Sequence, residues 1–167
     1  MTKHNFAAAT CLCAVALACA WQGRTQTSQS GRQVLEAYVS AWNRHDFAAF
    51  DKLLAADAIH EDIAYGFRGQ GPAQIKEFMR GMIKEQPDLN WHLTTVVEAG
   101  QVVAGEWTWT STFTGDSPTG PVVGKRISAR GASVAVIENG RIKRFTDYYD
   151  MASAFRELPA GSATPKN

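Results

Sequence analysis

The sequence predicts an α+β fold in which three amino-terminal helices pack on one face of a strongly curved antiparallel sheet. Apolar residues recur at helical spacing in the first half of the chain, and four segments of the second half alternate between apolar and polar residues as strands do. Helices followed by a run of strands are typical of the α+β class. The 167 residues, 45% of them hydrophobic, suffice for one domain with a packed core.

The first 20 residues have the features of a secretory signal peptide. A positive charge at Lys3 precedes an apolar run at residues 6–20, which is too short for a bilayer span of about 20 apolar residues. The segment Ala-Cys-Ala ending at Ala20 matches the pattern of an A-x-A cleavage site; lipidation at Cys19 and an uncleaved anchor are the alternatives. We therefore expect an exported protein, periplasmic or secreted, or else a membrane-anchored lipoprotein. Residues 21–30 are expected to form a polar linker.

Composition and cysteine placement exclude several classes of site and partner. Lys and Arg number 17 against 16 Asp and Glu, so no excess of positive charge exists to neutralise a phosphate backbone, and nucleic acid is not an expected partner. All three cysteines lie in the leader, which excludes disulfides, cysteine nucleophiles and cysteine zinc sites from the folded part. Because no H-E-x-x-H motif, phosphate loop or dinucleotide fingerprint is present, we expect neither a cofactor nor a metal.

Three helices and a short extended segment are predicted in the first half of the chain. The first helix begins near Gly31, and the second follows Asp46, a good N-cap residue. An extended piece at residues 59–63 leads through a glycine-rich turn into a third helix, which Pro72 opens and Pro87 ends. The apolar stripe of the first helix consists of Val34, Leu35, Tyr38, Val39 and Trp42.

Four strands and a short final helix are predicted in the second half. A longer loop at residues 115–124 joins the second strand to the third, and Asn139-Gly140 is a strong hairpin signal. Gly131 interrupts the third strand, which indicates a bulge or bend that curves the sheet. Asp150 is expected to cap the final helix, and residues 159–167 are expected to form a flexible tail. The predicted strands are residues 90–99, 101–114, 125–138 and 141–149.

Three motifs resemble a known superfamily of small domains. They are AYVSAWNRHD at residues 37–46, LLAADAIHED at 53–62 and NGRIKRFTDYYDM at 139–151. In this order they resemble the nuclear transport factor 2-like superfamily, and in particular its SnoaL-like polyketide cyclase and ester cyclase branch. They are also similar to ketosteroid isomerases and limonene epoxide hydrolases. The resemblance implies a cone-shaped domain at residues 31–158 and a homodimer formed through the outer sheet face, while the fold itself leaves the function open.

Asp147 is the first candidate catalytic residue. Alternation along the last strand places Phe145, Asp147 and Tyr149 on one face. A carboxylate between aromatic side chains should have a raised pKa, which suits proton exchange near neutral pH. Asp147 also matches the aspartate that SnoaL-like cyclases and epoxide hydrolases use as an acid or base. The structural alternative is a surface carboxylate or an ion-pair partner for Arg144.

His60 and Asp62 are the second pair of candidates, and they share one face of the extended piece. The resemblance to ketosteroid isomerases implies that Asp62 shuttles a proton, that Tyr38 donates to the oxyanion, and that His60 is a partner or orienter. The second oxyanion donor of those enzymes falls near Ala132 or Ser133. The structural alternatives are core packing for Tyr38, a backbone-bonded buried histidine for His60, and turn organisation for Asp62.

Aromatic residues on one face of the predicted strands indicate the walls of a pocket. Trp107 and Trp109 share a face of the second strand, and together with Phe145 and Tyr149 they are predicted to bind a planar, apolar substrate. Ordinary core packing is the alternative. Epoxide hydrolases carry an Arg and an Asp at the positions of the two tryptophans, so we do not expect a strict epoxide hydrolase.

Two classes of function follow from these residues. The first is a cofactor-independent acid–base enzyme, of the cyclase or isomerase type, that acts on a hydrophobic carbonyl, enol or ester compound with Asp147 or Asp62 as proton shuttle. The second is an exported protein that binds a similar molecule in the same pocket without chemistry. In both cases the expected partner is a hydrophobic small molecule.

Overall fold

The computed structural model describes residues 29–117 and 120–155. The leader predicted at residues 1–20, most of the linker and the tail at 159–167 lie outside these ranges. Among the described residues, no helix has the length and apolar character needed to cross a membrane. The elements are α1 Gly31–Asn43, α2 Phe47–Leu53, β1 Leu54–Asp62, β2 Phe67–Gln70, α3 Gly71–Glu85, β3 Asn90–Ala99, β4 Val102–Ser117, β5 Gly120–Glu138, β6 Arg141–Tyr149 and α4 Met151–Ala154.

Side chains just before the helices satisfy their first N–H groups. The Ser30 hydroxyl accepts from the Gln33 N–H while the Gln33 side chain accepts from the Ser30 N–H, which forms a capping box at α1. Asp46 accepts from the Ala49 N–H at 3.0 Å and caps α2 as predicted. Asp150 caps α4 in the same way. These caps fix the helix starts that the sequence indicates.

The six strands form one open, mixed sheet in the order β2-β1-β6-β5-β4-β3. Neighbouring strands are antiparallel as predicted, except that β1 and β6 run parallel. Alternation in a sequence tells which face a residue lies on, but not the direction of its partner strand. Because β1 and β6 are far apart in the chain, no hairpin imposes an antiparallel pairing on them.

The helices cover one face of this sheet, and the core lies between the two layers. Fully buried side chains of α1, α2 and α3 meet fully buried side chains of the strands. The predicted α+β class, with the helices packed on the sheet, is therefore confirmed. Large side chains of this core include Leu35, Phe50 and Met79 from the helices and Phe113, Ile127, Ile142 and Phe145 from the strands.

Two predicted connections are shorter than expected. The glycine-rich segment before α3 contains strand β2, which pairs with the free edge of β1 from Ile59↔Gln70 to Asp62↔Phe67. The loop predicted at residues 115–124 is largely strand, because β4 continues to Ser117 and β5 begins at Gly120. Backbone hydrogen bonding along long neighbouring strands outweighs the turn signals of the glycines and prolines there.

Of the bulge or bend predicted at Gly131, the bulge is wrong. Gly131 pairs regularly with Trp107 on β4 and with Tyr149 on β6. A Cβ atom at this position would lie 2.5 Å from the Trp107 indole and 2.7 Å from the Tyr148 carbonyl oxygen. The glycine is needed because the large indole lies directly over the backbone of β5.

Candidate active site

A cavity of about 30 Å³ lies between the helices and the covered face of the sheet. Its walls combine two carboxylates and a histidine with aromatic and aliphatic side chains. This volume holds roughly two water molecules, so a ligand as large as one aromatic ring requires lining side chains to move. The lining residues are Trp42, His60, Asp62, Phe78, Met82, Leu89, Trp91, Trp107, Trp109, Asp147 and Tyr149.

The register of the strands brings the two candidate aspartates side by side. Asp62 on β1 is the Cα partner of Asp147 on β6, and Asp147 is in turn the partner of Ser133 on β5. Paired residues of neighbouring strands point to the same face of a sheet, so the three side chains form one row. Both predicted carboxylates therefore lie in one wall of the cavity.

Asp62 is a buried carboxyl, and no lysine or arginine of the described residues forms an ion pair with it. Its Oδ1 accepts from the Tyr65 N–H at 2.9 Å, and its Oδ2 accepts from the Tyr149 hydroxyl at 3.1 Å. Burial raises the pKa of Asp62 to about 6, with the charge of Asp147 adding to the rise, while the two hydrogen bonds and His60 oppose it. Asp62 can therefore accept and release a proton near neutral pH. Its bond to the Tyr65 N–H also organises the turn after β1, which was the structural alternative for this residue.

Asp147 is held through both of its oxygens. The Ser133 hydroxyl donates to Oδ1 at 2.5 Å, and His60 Nε2 lies 3.1 Å from Oδ2. The Trp107 indole N–H donates to the Ser133 hydroxyl at 2.7 Å. Arg144, the alternative partner of Asp147, instead pairs with Glu61 on the other face of the sheet. Asp147 therefore belongs to a buried hydrogen-bonded chain that reaches the cavity.

Tyr38 and Phe145 lie behind the cavity wall and do not line it. The Tyr38 hydroxyl is 3.4 Å from His60 Nδ1, and its ring centroid is 4.7 Å from that of Phe145. Both side chains are fully buried, and burial raises the pKa of Tyr38, so its hydroxyl keeps its proton. The geometry thus places Tyr38 against His60, which bonds to side chains rather than to backbone.

Trp91 is a cavity residue that the sequence analysis did not single out. It is the Cα partner of Trp109 across β3 and β4, and Trp109 stacks beside Trp107 with ring centroids 5.9 Å apart. Only the pairing register reveals this, because Trp91 stands at the start of its strand without an aromatic neighbour in the sequence. Trp42 also lines the cavity, and it was part of the apolar stripe predicted for α1.

Asp62 is placed to transfer a proton to or from a molecule in this apolar, aromatic cavity. The pKa of Asp62 is raised to about 6 beside a second carboxylate, and aromatic side chains make up much of the cavity lining. Within residues 29–117 and 120–155, no group of three or more His, Cys, Asp and Glu side chains is placed to hold a metal ion.

Comparison with known families decides the membership of the chain. The sequence profile of the SnoaL-like polyketide cyclases matches residues 32–158. The chain belongs to the SnoaL-like polyketide cyclase family. This confirms the resemblance seen in the three motifs. No curated protein matches the sequence.

Solved structures of other proteins share the fold of this chain. A SnoaL-like polyketide cyclase from Agrobacterium tumefaciens is 18% identical, with a TM-score of 0.65 over 75% of this chain and 94% of that one. A candidate polyketide cyclase from Pseudomonas putida is 28% identical, with a TM-score of 0.63 over 75% and 95% of the two chains. A hypothetical protein from Catenulispora acidiphila, described as having a ketosteroid isomerase-like fold, is 22% identical, with a TM-score of 0.65 over 73% and 88%. The predicted nuclear transport factor 2-like fold is thereby confirmed.

Proposed function

We propose that this SnoaL-like protein is a cofactor-independent acid–base enzyme of the cyclase or isomerase type. Its substrate is a hydrophobic small molecule with a carbonyl group, and the reaction begins with proton transfer at the carbon beside that carbonyl. The family membership supports the reaction type. The observation that carries the proposal is the pairing of Asp62 and Asp147 in one aromatic-lined cavity, with the pKa of Asp62 raised to about 6.

Asp62 is the group that moves the proton in this proposal. Its carboxylate takes a proton from the carbon beside the carbonyl, so the C–H bond breaks, an O–H bond forms on Asp62, and the electron pair moves to the carbonyl oxygen as an enolate. The enolate then either regains the proton at another carbon, which is isomerisation, or attacks a second carbonyl of the same molecule, which closes a ring. In ring closure the proton of Asp62 goes to the new alkoxide.

The remaining residues position groups and surround the substrate. His60 and Ser133 hold the Asp147 carboxylate from both sides, and Tyr38 supports His60 from behind. Asp147 in turn adds to the rise in the pKa of Asp62. The rings of the tryptophans and of Tyr149 provide faces for a planar, apolar substrate.

Substitution of each aspartate tests the proposal. The substrates are a β,γ-unsaturated ketone of steroid size, which reports isomerisation, and an aromatic polyketide ester that closes a ring by an aldol step. Asp62→Asn keeps the size of the side chain but removes the base, so we expect turnover of the accepted substrate to fall by about 10²–10⁴-fold. Asp147→Asn should also lower turnover, because an amide has a single acceptor oxygen and cannot hold both the Ser133 hydroxyl and His60 as the carboxylate does.

Asp57→Asn is the matched control, since Asp57 lies on the same strand but is exposed and paired with Lys143. It should leave turnover unchanged. Full activity of Asp62→Asn, in protein with the same thermal midpoint of unfolding as the wild type, would rule out the assigned base.

A binding protein without chemistry is the second candidate. The four tryptophans of the lining offer apolar surface to a ligand once lining side chains have moved, and binding requires such surface as much as catalysis does. A ligand that co-purifies unchanged, and whose affinity is the same for the wild type and for Asp62→Asn, would favour this candidate over the enzyme.

A further inference from the structure

Four buried side-chain N–H groups of the described residues make no hydrogen bond. They belong to the indoles of Trp42, Trp91 and Trp109 and to the amide of Gln86. Buried polar groups in folded proteins nearly always have a partner, so each of these donors calls for an explanation.

For two of the four donors, a different tyrosine hydroxyl lies nearby in each case. The Trp42 indole N–H falls short of hydrogen-bond geometry but is close enough to the Tyr38 hydroxyl to stabilise its ionised form. The Gln86 amide stands in the same relation to the Tyr65 hydroxyl. Small movements of these side chains would complete both bonds. Trp91 and Trp109 make no hydrogen bond through their indole N–H groups within the described residues, and neither changes the pKa of Tyr38 or Tyr65.

Trp91 and Trp109 form one pair in the wall of the cavity. They are Cα partners on β3 and β4, they are 7% and 6% exposed, and both line the cavity that holds Asp62. Trp107 lies in the same wall, but its N–H is already bound to Ser133. Of these three tryptophans, two therefore have an indole N–H without a partner, and the third has its N–H bound.

We propose that Trp91 and Trp109 donate their indole N–H groups to oxygen atoms of the bound ligand. The ligand is then a planar, apolar molecule with carbonyl or enol oxygens on the side that faces β3 and β4. This inference rests on the proposed function for its site, the cavity beside Asp62, and it holds whether or not the ligand reacts there.

The position of Trp109 relative to Asp62 connects the two proposals. The Trp109 and Tyr149 ring centroids are 5.0 Å apart, and the Tyr149 hydroxyl is bonded to Asp62. Tyr149 thus contacts both the Trp109 ring and the base. Indole N–H groups at this place would stabilise the negative charge that develops on an enolate oxygen when Asp62 removes a proton from the neighbouring carbon.

Indole NMR signals test this inference without any chemistry. The chain has five tryptophans, so protein labelled with ¹⁵N-tryptophan gives five indole N–H signals, which Trp→Phe variants assign. The probes are acetophenone and α-methylstyrene, in which a methylene group replaces the carbonyl oxygen. We expect acetophenone to move the Trp91 and Trp109 N–H signals downfield, whereas α-methylstyrene leaves them near their original positions.

The affinities of Trp→Phe variants for the two probes test the same hydrogen bonds. Trp91→Phe and Trp109→Phe keep an aromatic ring but remove the donor, so each should weaken acetophenone binding about tenfold more than α-methylstyrene binding. Equal losses for the two probes would show that only ring packing changed. Equal binding of both probes to the wild type, or failure of the ketone to bind, also overturns the inference. If the variants do not fold, the wild-type signals decide alone.

These results are independent of turnover. Downfield shifts in a protein that shows no proton transfer would support the donor pair while removing the proposed enzyme. Proton transfer without such shifts would support the proposed enzyme and overturn the donor pair.

Discussion

At Asp62, burial and the charge of the neighbouring Asp147 both raise the pKa. Both the loss of water and the neighbouring Asp147 disfavour its ionised form, and its pKa rises to about 6. Because the folded protein holds the proton more tightly than the unfolded chain does, ionisation of Asp62 costs stability as pH rises from about 4 to about 6. The same feature leaves Asp62 ionised, and so available as a base, above that range.

Tyr149→Phe should shift the pH dependence of activity. The Tyr149 hydroxyl donates to Asp62 and lowers its pKa, so removal of the hydroxyl should raise that pKa. Turnover that requires ionised Asp62 increases as pH rises through the pKa. The midpoint of that increase, near pH 6 in the wild type, is therefore expected at a higher pH in the variant. The measurement is the pH profile of kcat/KM.

Tyr148→Phe is the control for this prediction, because Tyr148 is half-exposed on the opposite face of the same strand. Its profile should coincide with that of the wild type. A midpoint that stays in place in Tyr149→Phe, or that moves to lower pH, would contradict the role of the hydroxyl.

Several site residues were predictable from the sequence, and others were not. Alternation alone placed Asp147 and Tyr149 on one face of a strand and His60 and Asp62 on one face of another. The bond between Ser133 and Asp147 depends on which residues stand opposite each other, and a single sequence does not state the register. Trp91 was missed for the same reason.

At the scale of elements, the parallel pairing of β1 with β6 creates the site. This pairing in register sets Asp62 beside Asp147 and places His60 beside Phe145. The sequence indicated both strands, but it contained no signal for their pairing, because the two lie at opposite ends of the domain. The helices were easier to predict, since caps and spacing are local signals.

Gly131→Ala should destabilise the protein through the packing of β4, β5 and β6. The new methyl group would meet the Trp107 indole and the Tyr148 carbonyl oxygen at less than normal contact distance. Overpacking of this kind costs about 1–3 kcal/mol of unfolding free energy. Urea unfolding followed by tryptophan fluorescence measures the change.

Gly81→Ala, in contrast, should increase the stability of the protein. Gly81 lies within α3, and no described atom outside its chain neighbours and the nearby backbone of its own helix lies within 4 Å of a Cβ built there. Alanine favours the helix, so this variant should be about 0.5–1 kcal/mol more stable than the wild type. Stabilisation by Gly131→Ala would show that the indole does not need the space that the glycine leaves.

At the scale of the whole molecule, the helical layer and the sheet enclose a cavity with space for little more than water. The sequence predicted both layers and the aromatic character of the wall, but cavity volume depends on how side chains from separate elements pack. The outer face of the sheet exposes Val97, Val102, Val134 and Tyr148. Formation of a homodimer through this face stays a prediction, as do export and lipidation at Cys19.

Proton transfer at carbon is the property on which the proposed function depends. Phenylacetone, a small ketone with acidic C–H bonds beside its carbonyl, is incubated with the protein in D₂O, and NMR follows the loss of those proton signals. We expect exchange faster than in buffer alone with the wild type and with Asp57→Asn, and exchange at the buffer rate with Asp62→Asn. Exchange no faster than buffer with the wild type, or equally fast exchange with Asp62→Asn, would contradict the assignment of Asp62 as the base of a SnoaL-like enzyme.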